Sequence, residues 1–133
     1  MRGSNRVCEG CDSDYVVGKN CKGLYCSLKC QMAHKYHVYI NEWLWGIQSG
    51  YTGKALALSK QIKRYFRERF GTACWSCGWD GKHPVDGASL TEFDHIDGDS
   101  ENCSFDNIRI LCPNCHSMTP TFRARNKESS RKR

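Results

Sequence analysis

The chain has 133 residues, of which 26% are charged, and its formal net charge is +6. This length is compatible with one ordinary domain or with two small ones. No segment approaches the roughly 20 consecutive apolar residues that a membrane-spanning helix needs, so we expect no membrane partner.

The ten cysteines are the most informative feature of the composition. Eight of them lie in four closely spaced pairs, which are Cys8/Cys11, Cys26/Cys30, Cys74/Cys77 and Cys112/Cys115. Such pairs are typical of zinc sites, whereas a disulfide framework is typical of exported proteins. Because residues 1–30 contain no apolar export segment, we expect an intracellular (cytoplasmic) protein whose reduced thiols bind two structural Zn²⁺ ions.

The charges are unevenly distributed along the chain. Residues 1–71 hold twelve Lys and Arg against five Asp and Glu, residues 72–118 hold two against eight, and residues 119–133 hold six against one. Two basic flanks around an acidic segment suit a polyanion bound by its backbone, with a cation held by the central carboxylates. A solvated surface without a partner explains the same charges equally well.

Residues 1–46 are predicted to form an N-terminal four-cysteine zinc finger with a trailing helix. A segment this short buries too little apolar surface to fold alone, and a metal supplies the missing stability. The expected ligands are Cys8, Cys11, Cys26 and Cys30. Four thiolates leave no open coordination position, so this site is structural. Ser27 is a candidate N-cap for a helix that carries the last of these cysteines. Three nearby residues are alternative ligands, namely Cys21, His34 and His37, and Cys21 is interpreted as a free thiol.

Apolar residues recur at helical spacing between Gln31 and Gly46. They are Ala33, Tyr36, Ile40, Trp43 and Leu44. This stripe predicts a helix whose apolar face packs in the core, and Gly46 offers a stop.

Residues 47–71 are predicted to form a loop followed by a basic linking helix. Ser59 is a candidate N-cap and Gly71 a candidate stop, so the helix is expected over 59–70. Four basic side chains gather on the face opposite its apolar residues, namely Lys60, Lys63, Arg64 and Arg67. Four cations against the single carboxylate of Glu68 favour contact with DNA phosphates over a merely solvated face.

Residues 72–126 are bracketed by the second set of paired cysteines, which are Cys74, Cys77, Cys112 and Cys115. The segment between the pairs predicts two short strands, Leu90–Asp94 and Ile108–Leu111, separated by a polar loop. Pro113 suits the first turn of a helix that includes Cys115 and His116. The predicted fold class is therefore a small zinc-stabilised α+β protein.

The order of residues in this segment resembles the HNH family of ββα-metal (His-Me finger) nucleases. The specific part runs from Glu92 through Asp94-His95 to Asn107, and it ends in Cys-Pro-Asn-Cys-His116. The resemblance covers residues 72–126 and implies a C-terminal ββα-metal HNH domain. The arrangement is similar to HNH endonucleases of phages or mobile elements such as homing endonucleases, in which accessory modules add affinity for double-stranded DNA.

The resemblance also implies a role for each matching residue. His95 would be the general base that activates water. Asp94 and His116 would bind one catalytic divalent metal ion, Mg²⁺ or Mn²⁺. Asn107 would brace the loop that orients His95, and cleavage would leave 5′ phosphate and 3′ hydroxyl ends.

Elementary chemistry agrees with these roles. A divalent ion stabilises both the charge of the transition state and the leaving 3′ oxygen, and imidazole has the side-chain pKa nearest to physiological pH. A zinc protein that only binds DNA needs the eight thiols but not Asp94, His95 and His116 together. A non-catalytic zinc-finger DNA-binding or regulatory protein is therefore the first alternative, and a toxin-like or RNA-directed nuclease on the same fold is a third hypothesis.

Residues 119–133 add a last basic segment. Arg123 and Arg125 follow the predicted active-site helix closely enough to clamp DNA phosphates. Residues 127–133 are predicted to be a basic tail, of which residues 128–133 only solubilise the chain. No role is predicted for Cys103, and residue spacing specifies neither a recognition sequence nor an oligomeric state.

Overall fold

A computed structural model describes residues 4–18, 23–53 and 58–126. Within these ranges the chain is a small α+β structure that divides into two compact units, residues 1–42 and 43–133. None of the helices in these ranges is long and apolar enough to span a bilayer. Cys21 and the predicted tail over 127–133 lie outside the described residues.

The first unit begins with a hairpin of two strands, β1 (Asn5–Val7) and β2 (Asp14–Val16), which pair antiparallel. Helix α1 (Leu28–Leu44) follows and crosses the division between the units. Its start is set by Ser27, whose hydroxyl accepts a hydrogen bond from the backbone N–H of Cys30 at 3.1 Å. The predicted cap is therefore present, and the helix begins three residues before the predicted apolar stripe.

The apolar stripe of α1 is only partly buried. Tyr36, Ile40 and Trp43 are buried, as predicted, whereas Ala33 and Leu44 are exposed. The prediction was wrong for these two residues because helical spacing identifies a face but not how many of its turns are covered.

The second unit contains α2 (Lys60–Phe70), where the predicted limits are confirmed. The Ser59 hydroxyl accepts a hydrogen bond from the backbone N–H of Ile62, and Gly71 ends the helix with a positive φ of 77°. A positive φ costs glycine little, so Gly71 is well suited to this position. The buried side chains of α2 are Ile62 and Phe66, and the Phe66 ring stacks on Phe105 with centroids 5.6 Å apart.

A hairpin of β3 (Glu92–His95) and β4 (Ile108–Leu111) follows, and then the short helix α3 (Pro113–Ser117). The strands pair antiparallel in the register Asp94 with Arg109, and α3 contacts both of them. Strand β4 has the predicted limits, but β3 begins two residues later than predicted. The cause is that the backbone N–H of Leu90 bonds to Gly81 in a separate turn.

Candidate functional site

Two groups of four cysteines bring their sulfur atoms within 4.8 Å of one another. They are Cys8, Cys11, Cys26 and Cys30 in the first unit, and Cys74, Cys77, Cys112 and Cys115 in the second. These are the two sets expected from the sequence. The distances from Cys11 to Cys26 and from Cys77 to Cys112 are both 3.7 Å between sulfur atoms. A zinc ion with Zn–S bonds of roughly 2.3 Å requires tetrahedral edges of about 3.8 Å, so both groups fit structural zinc.

The first cluster is shaped by the tight turn between Cys8 and Cys11. The sulfur of Cys8 accepts hydrogen bonds from the backbone N–H groups of Cys26 and Gly10, at 3.3 and 3.4 Å. Burial acts to raise the pKa of Cys8, but these backbone bonds outweigh it and lower the pKa to about 6. A Cβ atom at Gly10 would lie only 2.7 Å from the sulfur of Cys30, so the turn requires glycine. The backbone N–H groups therefore favour the thiolate of Cys8, and a thiolate is the form of cysteine that binds zinc.

The second cluster is attached directly to the β3–β4 hairpin. The backbone N–H of Trp75 bonds to the carbonyl of Ile110 at 2.8 Å, and Cys112 is the N-cap of α3. The backbone N–H of His116 bonds to the carbonyl of Cys112 at 2.8 Å. His116, which follows the last cysteine of this cluster, is thus held by the backbone carbonyl of Cys112.

Asp94 and His116 converge on one side of the hairpin. Nε2 of His116 lies 3.5 Å from Oδ1 of Asp94, and Nδ1 lies 2.6 Å from a carboxylate oxygen of Glu92. A carboxylate can only accept a hydrogen bond here, so Nδ1 carries the proton in the bond to Glu92. The carboxylate of Asp94 is buried, with 7% of its side chain exposed. A carboxylate oxygen and an imidazole nitrogen at this distance are suitable ligands for one divalent cation.

His95 lies on the other face of β3. Successive strand residues point to opposite faces, so His95 shares a face with Phe93 and not with Asp94. Its Nε2 lies 3.5 Å from the sulfur of Cys103, which is buried. Burial and the nearby charge of Asp99 raise the pKa of Cys103 to about 11, so this side chain remains a thiol at neutral pH. The structure brings Asp94 and His116 together and places His95 separately at the end of the strand.

Asn107 ties together the loop that connects His95 to β4. Its side-chain oxygen accepts a hydrogen bond from the backbone N–H of Asp97 at 3.0 Å. Its side-chain nitrogen donates to the Asp97 carboxylate at 2.9 Å and to the carbonyl of Asn102 at 2.7 Å. All of the donor and acceptor types of this amide are therefore used inside the loop.

Comparison with curated proteins finds a similar sequence in the H-N-H endonuclease F-TflIV of Escherichia phage T5. The two are 42% identical over 53 residues, which cover 40% of this chain and 22% of the phage protein. This similarity relates part of the chain to the HNH endonucleases. The family relationship predicted from the sequence motifs is thereby supported over the matched part of the chain. The matched part spans about a fifth of the phage protein's length. No protein-family model matches the sequence, and no solved structure is significantly similar to it.

Three residues beside the candidate site were not predicted from the sequence to have a role there. Glu92 orients His116, Arg109 bonds through Nε to Oδ2 of Asp94 at 2.7 Å, and Cys103 contacts His95. The alternation of β3 could have identified Glu92, because it is two residues before Asp94 and shares its face. Neither Arg109 nor Cys103 could be assigned this way, because their contacts depend on the hairpin register and on the loop.

The basic residues predicted to contact DNA differ in their surroundings. Arg64 pairs with Glu68 at 2.7 Å on the exposed face of α2. The guanidinium of Arg67 lies 5.1 Å from the centroid of the Phe93 ring on β3, on the face of the strand that Phe93 shares with His95. Burial and the charge of Arg67 lower the pKa of Lys63. Arg123 and Arg125, which are also predicted to contact DNA, are the first and last residues of a short 3-10 helix after α3. Lys60 is exposed on α2.

Proposed function

We propose that the chain is a metal-dependent endonuclease that hydrolyses phosphodiester bonds of double-stranded DNA. The observation that carries this proposal is the convergence of Asp94 and His116 on one side of a hairpin whose first strand ends in His95. The partial similarity to a phage HNH endonuclease supports it independently.

Asp94 and His116 would hold one divalent ion, Mg²⁺ or Mn²⁺. Their ligand atoms lie 3.5 Å apart, and Glu92 fixes the proton of His116 on the nitrogen that faces away from Asp94. A carboxylate partner of this kind typically orients a metal-binding histidine and increases its basicity. When bound, the ion supplies Lewis-acid stabilisation of the phosphate charge and of the leaving oxygen.

His95 would act as the general base. In this proposal an imidazole nitrogen of His95 accepts the proton of the attacking water. General-base catalysis typically contributes about 10² to 10⁴ to the rate. His95 is the last residue of β3 and pairs with Ile108, so it borders the loop that Asn107 ties together. Distances between catalytic groups commonly shorten only when the substrate binds.

Basic side chains would bind the DNA backbone on both flanks of the site. Arg67 is the best-placed residue of α2, because its contact with Phe93 holds it beside β3. Arg123 and Arg125 would bind phosphates on the side of α3. Contacts of this type position DNA without reading its sequence.

Plasmid cleavage tests the proposal. Supercoiled plasmid is incubated with the full chain and Mg²⁺ or Mn²⁺, with and without a chelator, and end-labelling identifies the 5′ phosphate and 3′ hydroxyl products. His95→Ala, Asp94→Asn and His116→Ala should each reduce cleavage by about 10² or more. The control is His83→Ala, because His83 is an exposed histidine that contacts Asp86 in a separate turn.

Two results would contradict the proposal. If wild type and His95→Ala leave the plasmid equally intact with every metal while both still retard DNA in a gel, the chain is a zinc-dependent DNA-binding protein. If His83→Ala reduces cleavage as much as His95→Ala does, the loss reflects damage to the fold rather than to the site.

A further inference from the structure

Arg109 forms an ion pair with Asp94, which is a proposed metal ligand. It lies opposite Asp94 in the β3–β4 register and bonds through Nε to Oδ2, at 2.7 Å. The two oxygens of Asp94 therefore have different neighbours, because Oδ1 faces His116. Residues 72–118 contain only one other Lys or Arg, Lys82, which pairs with Asp80. The single arginine of this acidic segment thus sits on the candidate site.

This ion pair removes the net charge of the carboxylate that would attract a divalent ion. An arginine stays protonated at any working pH, so its charge opposes a nearby cation under all conditions. This inference rests on the proposed function. We infer that Arg109 acts as a charge gate, which means that its positive charge repels a divalent ion from the site. It keeps the affinity of the Asp94–His116 site for a divalent ion low until a DNA phosphate is bound.

The phosphate relieves the repulsion because it binds both cations at once. A guanidinium carries five N–H donors in a planar fork, and Nε already serves Asp94. About 28% of the Arg109 side chain is exposed, so its outer nitrogens can donate to a phosphate while Nε keeps its bond. DNA therefore raises the affinity for the ion, and the ion raises the affinity for DNA by the same factor. The consequence is that the ion accumulates at the site only when the substrate is present.

Binding of Mn²⁺ tests the gate without any measurement of cleavage. Electron paramagnetic resonance of free Mn²⁺ gives the affinity of the zinc-loaded full chain, with and without a short DNA duplex, in a His95→Ala background that keeps the duplex intact. Arg109→Gln keeps a hydrogen-bond donor for Asp94 but removes the charge. Its affinity for Mn²⁺ without DNA should rise about tenfold, and the gain on adding DNA should fall by a similar factor. Arg109→Lys should remain close to wild type, as should Arg69→Gln, which removes one charge on α2.

Several results would overturn the gate. Arg109→Gln with an unchanged or weaker affinity for Mn²⁺ without DNA would show that Arg109 only positions Asp94. If Arg109→Gln fails to fold, the protein with the unchanged Arg109 still tests the gate. If adding DNA leaves its affinity for Mn²⁺ unchanged, the gate is excluded.

Asp94→Asn separates this inference from the proposed function. If it leaves the affinity for Mn²⁺ unchanged, the ion does not bind at Asp94, and both the metal site and the gate are wrong. If it abolishes Mn²⁺ binding but Arg109→Gln binds no more tightly than wild type, only the gate is wrong.

Discussion

Replacement of Asn107 should loosen the loop that connects His95 to β4. The Asn107 side chain is buried and makes three hydrogen bonds, two to Asp97 and one to the carbonyl of Asn102. Asn107→Ala removes all three and leaves loop N–H and C=O groups without their partner. Asn107→Asp keeps the size of the side chain but loses both donors, and it places a second carboxylate beside that of Asp97.

The size of the effect follows from the number of bonds. Each hydrogen bond contributes about 1 kcal/mol net, and a buried group left without a partner costs about 1 to 3 kcal/mol. Asn107→Ala should therefore lower the free energy of unfolding of the second unit by about 2 to 4 kcal/mol. For a unit of this size the melting temperature should fall by about 10 to 20 °C. Asn107→Asp should be at least as destabilising, because its carboxylate repels Asp97.

Calorimetry with saturating zinc measures the stability, and amide hydrogen exchange at Asp97 measures the local bond to Asn107. Asn41→Ala is the matched control, because Asn41 is exposed on α1. An unchanged melting temperature together with an unchanged exchange rate at Asp97 would refute the reasoning. A faster exchange with an unchanged melting temperature would show that the hydrogen bonds of Asn107 stabilise only the loop and not the whole unit.

Three further outcomes are expected. Metal analysis of Cys103→Ala should still give two zinc ions per chain, because Cys103 belongs to neither cysteine cluster, and a loss of zinc would contradict this. Gly10→Ala should release zinc from the first cluster at a lower chelator concentration, because its Cβ would lie 2.7 Å from the sulfur of Cys30; equal retention would mean that the turn adapts. Lys63→Ala with Arg67→Ala should reduce the slope of log DNA affinity against log salt by about 1 to 2, and an unchanged slope would exclude phosphate contact by α2.

The features predicted correctly from the sequence are those set by neighbouring residues. The limits of α2 follow from Ser59 and Gly71, which act within one turn of the helix ends. The two cysteine groups follow from short spacings that only a few backbone turns can satisfy. The limits of β4 follow from four consecutive residues between a polar loop and Pro113.

The contacts that the sequence did not predict depend on how distant segments pair. The bond from Arg109 to Asp94 exists because β3 and β4 pair in one register, and a shift of one residue would turn both side chains to the other face. The contact of Cys103 with His95 depends on the path of the loop over 96–107, which has no periodic pattern. Composition showed that residues 72–118 are acidic, but not that their one arginine lies on the candidate ligand.

The second cysteine cluster and the candidate active site lie on the same continuous stretch of backbone, and a last prediction follows from this. Cys77 and Cys11 are exposed ligands of the second and first clusters respectively. Cys77→Ser should release the second zinc and also abolish Mn²⁺ binding at the site, because His116 is held by a bond to the carbonyl of the cluster residue Cys112. Cys11→Ser should release the first zinc and leave Mn²⁺ binding intact. Mn²⁺ prefers oxygen and nitrogen ligands, so the remaining thiols of either cluster do not replace the lost site. Loss of the second zinc with unchanged Mn²⁺ affinity would show that the hairpin alone positions His116.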